Sequence, residues 1–196
     1  MENKKVTNIV ICGVGGQGII LASNVLCNAA FNERLDVKKS EVHGMAQRGG
    51  SVITHVRFGE KVYSPLIEEG KVDFILAFEK LEAFRYLHYL KEKNGVIIVN
   101  DREIPPMSVL VGADTYPADI TKKLKNYGEL HLVPAEKTAR ELKNSRTVNI
   151  ILLGVLSTFL NFKTRSWHSA LKSCIKEKFV ELNISAFDRG RALRRE

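Results

Sequence analysis

The sequence predicts an α/β fold: a Rossmann-like three-layer arrangement with a mainly parallel sheet, a small β-ribbon insertion and a helical C-terminal region. Two observations carry this prediction. Buried-type strand segments alternate with helical segments up to residue 135, which is the pattern of a parallel sheet covered by helices. Four helical segments then close the chain, at 136–143, 147–161, 166–178 and 179–194. With 44% hydrophobic residues among 196, the chain is expected to form one domain, 1–196.

The strands are predicted from short runs of β-branched and other apolar residues. They are expected at 6–12, 34–44, 72–78, 95–100 and 129–135, with helices at 16–31, 79–92 and 114–127. Residues 51–67 instead alternate apolar and polar side chains around the sequence "FGEK" at 58–61. That alternation favours a small antiparallel ribbon with its turn at 58–61.

The net charge of +8 indicates an anionic ligand or partner. Lysine and arginine are spread along the chain without the aromatic–basic pattern of an RNA-binding module, so nucleic acid is not the favoured partner. The longest apolar stretch, 148–160, is shorter than the roughly 20 residues needed to cross a bilayer. We therefore expect a buried core helix there and no membrane partner.

The three cysteines, Cys12, Cys27 and Cys174, are widely separated. Their number and spacing fit neither a disulfide framework nor a zinc site, and an iron–sulfur cluster typically needs about four cysteines. No metal site is expected, and a reducing, cytoplasmic location is favoured. The N-terminal residues lack the apolar region of a signal peptide.

The sequence "GVGGQG" at 13–18 has the G-x-G-x-x-G spacing of a phosphate-binding turn between a strand and a helix. Gly13 is expected to allow the turn, Gly15 the approach of a phosphate, and Gly18 the packing of the helix on the sheet. Gly16 adds an unhindered position and Gln17 an amide. Since a helix begins here, its N-terminus favours an anion. A tight turn that binds nothing is the alternative.

A nicotinamide dehydrogenase would also need an acidic residue for the ribose near the end of the second strand. Asp36 and Glu41 are the candidates, but Asp36 is near the beginning of that strand and Glu41 leads into a polar loop. No hydride-transfer site is evident. The dehydrogenase interpretation is therefore not favoured.

A second glycine-rich segment, "EVHGMAQRGGSV" at 41–52, follows the second predicted strand. Arg48 beside Gly49 and Gly50 combines a guanidinium group with accessible backbone donors, which suits a phosphate or a carboxylate. In a parallel sheet this loop and the first glycine turn lie at the same edge. We expect the two loops to converge there. His43 is not assigned a catalytic role.

The two motifs together, "ICGVGGQGIILAS" and "SEVHGMAQRGGSVITHVRFG", closely resemble the gamma-type module of the 2-oxoacid:ferredoxin oxidoreductases. The resemblance continues through "VNIILLG" at 148–154 and "ELNISAFDRGRA" at 181–192, and so spans nearly the whole chain. The histidine–glycine–methionine form of the second loop points to the indolepyruvate branch of this family.

The resemblance implies a subunit of an enzyme that oxidatively decarboxylates arylpyruvates to aryl-acetyl-CoA and reduces ferredoxin. It implies that thiamine diphosphate and the iron–sulfur clusters belong to a larger alpha subunit, with coenzyme A as co-substrate and no cofactor bound by this chain alone. The positions implied to face ligand or interface are Gly15, Gly16, Gln17, Gly18, Arg48, Gly49 and Gly50, while catalytic residues stay unassigned. A pyruvate or 2-oxoglutarate branch and a stand-alone nucleotide-binding module are the alternatives.

Overall fold

A strand, a glycine turn and a helix open the computed structural model, which describes residues 6–43 and 49–194. Strand β1 (Thr7–Val14) is fully buried from Ile9 to Cys12. Such a strand, apolar on both faces, is typical of the middle of a sheet. Helix α1 (Ile19–Asn32) follows after Gly18, whose φ of 84° is in the left-handed region that favours glycine.

The remaining elements follow the predicted alternation of strands and helices. The further strands are β2 (Asp36–His43), β3 (Ser51–Gly59), β4 (Phe74–Ala77), β5 (Val96–Asn100) and β6 (Glu129–Val133). The further helices are α2 (Lys80–Arg85), α3 (Met107–Leu110), α4 (Ile120–Lys125), α5 (Ala135–Glu141), α6 (Val148–Ser157), α7 (Thr164–Cys174) and α8 (Val180–Ala192). Short 3₁₀ turns precede α6 and α8 and follow α2.

The strands form one sheet in the order β2-β3-β1-β4-β5-β6. The pairs β1–β4, β4–β5 and β5–β6 are parallel, whereas β3 is antiparallel to both β1 and β2. With helices on both faces, the predicted α/β class with a mainly parallel sheet is confirmed. The antiparallel element is also present, but its position differs from the prediction.

Residues 51–67 do not form a ribbon of their own. Only Ser51–Gly59 is a strand, and it lies within the main sheet between β2 and β1. Residues 60–67 are held by side chains instead: the N–H of Val62 donates to Asp36 and that of Ile67 to His55. The segment "FGEK" therefore includes the end of a strand and does not form a hairpin turn. Strand β3 buries side chains on both faces, as expected of a central strand.

The two faces of the sheet carry separate apolar layers. One face is covered by α1 and the C-terminal helices, with Trp167 and Phe187 among the largest buried side chains. The other face is covered by α2, the 3₁₀ turn after it and α4, which bury Ala83, Leu87 and Leu124 against the sheet. The predicted C-terminal helices are confirmed, with α6 buried over almost its entire length.

Helices α6 and α8 pack backbone against backbone through two glycines. A Cβ on Gly190 would lie 2.0 Å from the carbonyl oxygen of Ile151, and a Cβ on Gly154 would lie 2.2 Å from that of Phe187. Real Cβ contacts are not this short, so neither position accepts a side chain without moving a helix. This close approach lets α8 complete the apolar layer on α6.

We expect Gly190→Ala to lower the free energy of unfolding by about 1–3 kcal/mol, the usual cost of overpacking a core. Ser185→Ala changes an exposed residue of the same helix and serves as the control. Denaturant unfolding of both variants checks the expectation. Equal stability of the two variants would contradict the close packing of α6 and α8.

Candidate functional site

The glycine turn is held in shape by Gln17. The Gln17 Oε1 atom accepts from the backbone N–H of Val14 at 2.7 Å, and its Nε2 donates to the carbonyl oxygen of Phe78 at 3.1 Å. The amide thus ties the turn to the end of β4. Gly13 lies just below, still within β1, where a Cβ would come within 2.9 Å of the Phe78 Cβ. The Gln17 side chain therefore fixes the conformation of the turn, and the absence of a side chain at Gly13 leaves room for Gln17 and Phe78.

The two glycine loops meet at the same edge of the sheet, as the sequence predicted. Because β3 is antiparallel to both β1 and β2, those two strands run in the same direction and end at the same edge of the sheet, on either side of the start of β3. The Gly15 N–H donates to the Gly50 carbonyl oxygen at 2.8 Å, and the Gly49 N–H to the Gly15 carbonyl oxygen at 3.4 Å. Arg48 lies outside the described residues, so its role stays a prediction.

Two helices begin beside the first glycine turn. The side chain of Asn149, in the first turn of α6, donates to the carbonyl oxygen of Gly18 at 3.2 Å. A Cβ on Gly18 would lie 2.5 Å from the Asn149 Nδ2 atom, so the two helix starts are in close contact. Within the described residues, neither α1 nor α6 has an acidic residue in its first turn, and only the Ile150 N–H of α6 is bonded there to a side chain, that of Asn149. The positive ends of both helix dipoles therefore face the same space.

A cleft of about 580 Å³ opens between these helix starts and the loop after β5. Its lining residues are Val14, Gly15, Gly16, Gln17, Gly18, Leu21, Arg102, Ile104, Ser145, Arg146, Val148 and Asn149. Two of them are cationic: Arg102, which also pairs with Glu136, and the exposed Arg146. Glycine backbone, two helix N-termini and two guanidinium groups form a site suited to an extended anion.

Four of the predicted site residues, Gly15 to Gly18, line this cleft, while Gly49 and Gly50 brace the turn from the side. Sequence reasoning missed Arg102, Arg146 and Asn149. Arg102 lies two residues after the end of the predicted strand 95–100, so its place at the same sheet edge was available from the sequence. Arg146 and Asn149 reach the cleft only through the packing of α6 on α1, which no local pattern indicates.

The acidic residues considered for a ribose are placed differently from one another. Asp36 begins β2 and so lies at the opposite edge of the sheet from the glycine turn. It accepts from the N–H of Val62, and this hydrogen bond, with Lys38 and Lys61 nearby, holds the pKa of Asp36 below its usual value. Glu41 pairs with Lys39 on the same strand. Asp36 is therefore a structural residue.

The donor atoms of this chain do not fit an iron–sulfur cluster. Cys12 is fully buried in β1, and burial, followed by Glu82 and Glu79, raises its thiol pKa well above the usual value. Over residues 6–43 and 49–194, no group of three or more histidine, cysteine or acidic side chains is arranged to hold a metal ion. Within the same ranges, no helix has the length and apolarity needed to span a membrane.

The chain is similar to a known family over nearly its whole length. The model of the pyruvate ferredoxin/flavodoxin oxidoreductase family matches residues 8–193. The indolepyruvate oxidoreductase subunit IorB of Thermococcus kodakarensis is 44% identical over 93% of each chain. The subunit of the same name from Archaeoglobus fulgidus is 38% identical, over 93% of this chain and 92% of its own.

Two further similarities concern other branches and the fold. The ketoisovalerate oxidoreductase subunit VorA of Methanothermobacter marburgensis is 26% identical over 93% of this chain, which corresponds to 35% of VorA. A keto/oxoacid ferredoxin oxidoreductase gamma subunit from Geobacter sulfurreducens superposes with a TM-score of 0.71 at 26% identity, covering 95% of this chain and 97% of that one.

We expect Gly18→Ala to destabilise the protein by about 1–3 kcal/mol, because alanine is strained at positive φ and its methyl group meets Asn149. Adding Asn149→Ala to the same chain should recover part of this loss by removing the clash. Thermal unfolding of the single and double variants measures both effects. Additive losses in the double variant would argue against contact between the two helix starts.

Proposed function

Since the chain belongs to the pyruvate ferredoxin/flavodoxin oxidoreductase family, we propose that it is the small, cluster-free subunit of an indolepyruvate:ferredoxin oxidoreductase. The complex would oxidatively decarboxylate arylpyruvates to aryl-acetyl-CoA and pass the electrons to ferredoxin. The higher identity to relatives named indolepyruvate oxidoreductase subunits, 44% against 26% for the ketoisovalerate relative, supports this branch.

The redox groups belong to the partner in this proposal. Thiamine diphosphate would supply the decarboxylation chemistry and iron–sulfur clusters the electron path, both in the larger subunit. The three cysteines of this chain are free and far apart in the sequence, and Cys12 is buried, which supports that division. The contribution of this chain is then to bind and orient an anionic reactant at the shared site.

We assign the phosphate groups of coenzyme A to the cleft beside the glycine turn. The diphosphate and ribose phosphate of coenzyme A carry several negative charges, which match the two arginines and two helix starts that line the cleft. A volume of about 580 Å³ admits part of such a ligand with the rest extending toward the partner. The observation that carries this assignment is the convergence of α1, α6, Arg102 and Arg146 on one space.

Next to the cleft, the segment after β5 presents apolar side chains to solvent. In α3, Met107 and Leu110 are 71% and 65% exposed, Val111 directly after it is 68% exposed, and no residue of α3 is buried. Large exposed apolar side chains in a cluster are typical of an interface. The preceding residues Arg102 and Ile104 line the cleft, so a subunit seated on α3 would also close it.

The segment that carries α3 is anchored by hydrogen bonds at both ends, although α3 itself buries no residue. The fully buried Glu79 accepts from the N–H of Ile104 at 3.0 Å and from the hydroxyl of Tyr116 at 2.6 Å. Burial, and then the bond to Glu79, raises the Tyr116 pKa, which keeps that hydroxyl a donor. Anchoring both ends of an exposed segment reduces the entropy lost when a partner binds it.

The decisive experiment is reconstitution of this chain with the large subunit of its own organism. We expect CoA-dependent oxidation of indolepyruvate or another arylpyruvate with reduction of ferredoxin. Preference for pyruvate or 2-oxoglutarate in a substrate panel would move the chain to another branch. Tight nucleotide binding by the chain alone, with no partner and no turnover, would replace the proposal with a stand-alone binding module.

We expect Arg146→Ala to raise the KM for coenzyme A about 10-fold in the reconstituted enzyme, since a charge-assisted hydrogen bond contributes about 1.5 kcal/mol. Arg146→Lys should recover part of the affinity by restoring the charge. Arg140→Ala, an exposed arginine of α5 outside the cleft, is the control. Steady-state kinetics with coenzyme A varied decides, and a KM equal to that of the control would remove Arg146 from the site.

We expect Leu110→Asp to weaken association with the large subunit at least 10-fold, because it places a charge in an apolar contact. The isolated chain should keep its unfolding midpoint, since Leu110 is exposed. Glu181→Asp, a charge-conserving change of an exposed residue at the start of α8, is the control. Unchanged association of the Leu110 variant would place the partner contact elsewhere.

A further inference from the structure

Under the second glycine loop, on the face of the sheet opposite the cleft, lies a hydrogen-bonded network of three polar side chains, those of Ser51, Glu82 and Tyr86. The hydroxyl of Ser51 donates to the Glu82 Oε2 atom and lies 2.9 Å from the hydroxyl of Tyr86. The Arg85 Nε atom donates to the Glu82 Oε1 atom at 3.1 Å. Nothing in the proposed binding of coenzyme A uses these groups directly.

The hydrogen bonds of this network run in one direction, from Tyr86 through Ser51 to Glu82. A serine hydroxyl has a single hydrogen, and a carboxylate only accepts, so the Ser51 hydrogen points to Glu82. Tyr86 must then be the donor to the Ser51 oxygen. Burial raises the pKa of Tyr86, which keeps its phenol protonated for this role. Each of the three groups therefore fixes the next one.

Ser51 connects this side-chain network to the anion cleft. It follows Gly49 and Gly50 directly and pairs with Val14, the residue before Gly15, in the β1–β3 register. The Gly50 carbonyl oxygen in turn accepts from the N–H of Gly15, whose neighbours line the cleft. A displacement of Ser51 would therefore move both glycine loops together.

Burying the Glu82 carboxylate is unfavourable in free energy, which indicates that these hydrogen bonds do more than stabilise the fold. The Glu82 side chain is 5% exposed, while its cationic partner Arg85 is 48% exposed. Removing a carboxylate from water is unfavourable, and an apolar side chain in such a place is often equally stable or more stable. The carboxylate is the group that Ser51 requires as an acceptor.

We propose that Glu82, acting through Ser51, is a positioning residue that fixes Gly49 and Gly50 against the first glycine turn and so sets the geometry of the anion cleft. The inference rests on the proposed function for the identity of the anion, coenzyme A. The positioning itself concerns only residues of this chain, and it can be measured without any substrate.

Hydrogen–deuterium exchange on the full chain tests the positioning directly. In Ser51→Ala we expect the amides of residues 15–18 and 49–50 to exchange about 10-fold faster, the effect of losing one hydrogen bond to a charged acceptor. Ser51→Thr keeps the hydroxyl and should restore the wild-type rates. Ser173→Ala, on α7, is the control. Wild-type exchange at residues 15–18 and 49–50 in Ser51→Ala would overturn the proposal.

A second pair of measurements separates positioning from a general structural role. Glu82→Gln and Ser51→Ala, in the complex with the large subunit, should raise the KM for coenzyme A about 5- to 10-fold with kcat within about twofold. Loss of the hydrogen bond between Ser51 and Glu82 should also lower their unfolding midpoints below that of Ser173→Ala, so the KM for coenzyme A is the deciding measurement. Lower midpoints with an unchanged KM would show that the three side chains only stabilise the fold, and would also overturn the proposal.

The outcomes distinguish this inference from the function on which it rests. If the wild-type complex shows no dependence on coenzyme A, the proposed function fails, while the exchange rates of Ser51→Ala still decide whether Ser51 positions the loops. If the wild-type complex is CoA-dependent and Ser51→Ala matches it in both KM and exchange, the positioning role fails alone.

Discussion

The hydrogen bond from the Gly15 N–H to the Gly50 carbonyl oxygen is the constraint on which the rest of the site depends. It exists because β3 lies antiparallel beside β1, so that Ser51 at the start of β3 pairs with Val14 at the end of β1. With the loops joined, the first turn is held at the end of β1, and α1 begins directly after it. The cleft, its helix dipoles and its arginines are arranged around that place.

The sequence predicted those parts of the structure that depend on local chemistry. The glycine turn, its strand and its helix follow from the spacing of "GVGGQG" after a β-branched run, and the convergence of the loops follows from the parallel direction of two strands. The prediction of a ribbon at 51–67 was wrong, because alternating apolar and polar residues do not distinguish a hairpin from a single central strand. The second half of this stretch is not a strand, and the N–H groups of Val62 and Ile67 donate to side chains instead.

The cleft was only half predictable, for a physical reason. Its glycines carry a motif, whereas Arg146 and Asn149 lie more than a hundred residues away and arrive through the packing of α6 against α1. That packing depends on which helices bury which faces, a property of the whole core rather than of any window of sequence. Helix α3 after β5 was not predicted either, because a helix of four residues is too short to give a periodicity signal.

The anchoring of the segment after β5 has a consequence for how this protein can diverge from its relatives. One of its two contacts with Glu79 is made by the backbone N–H of residue 104, a donor that every amino acid except proline provides. The side chains between the anchors contribute little to the core, so they are free to change without loss of the fold. The exposed side chains beside the cleft can thus be substituted to suit a different subunit, while the loop that presents them keeps its position.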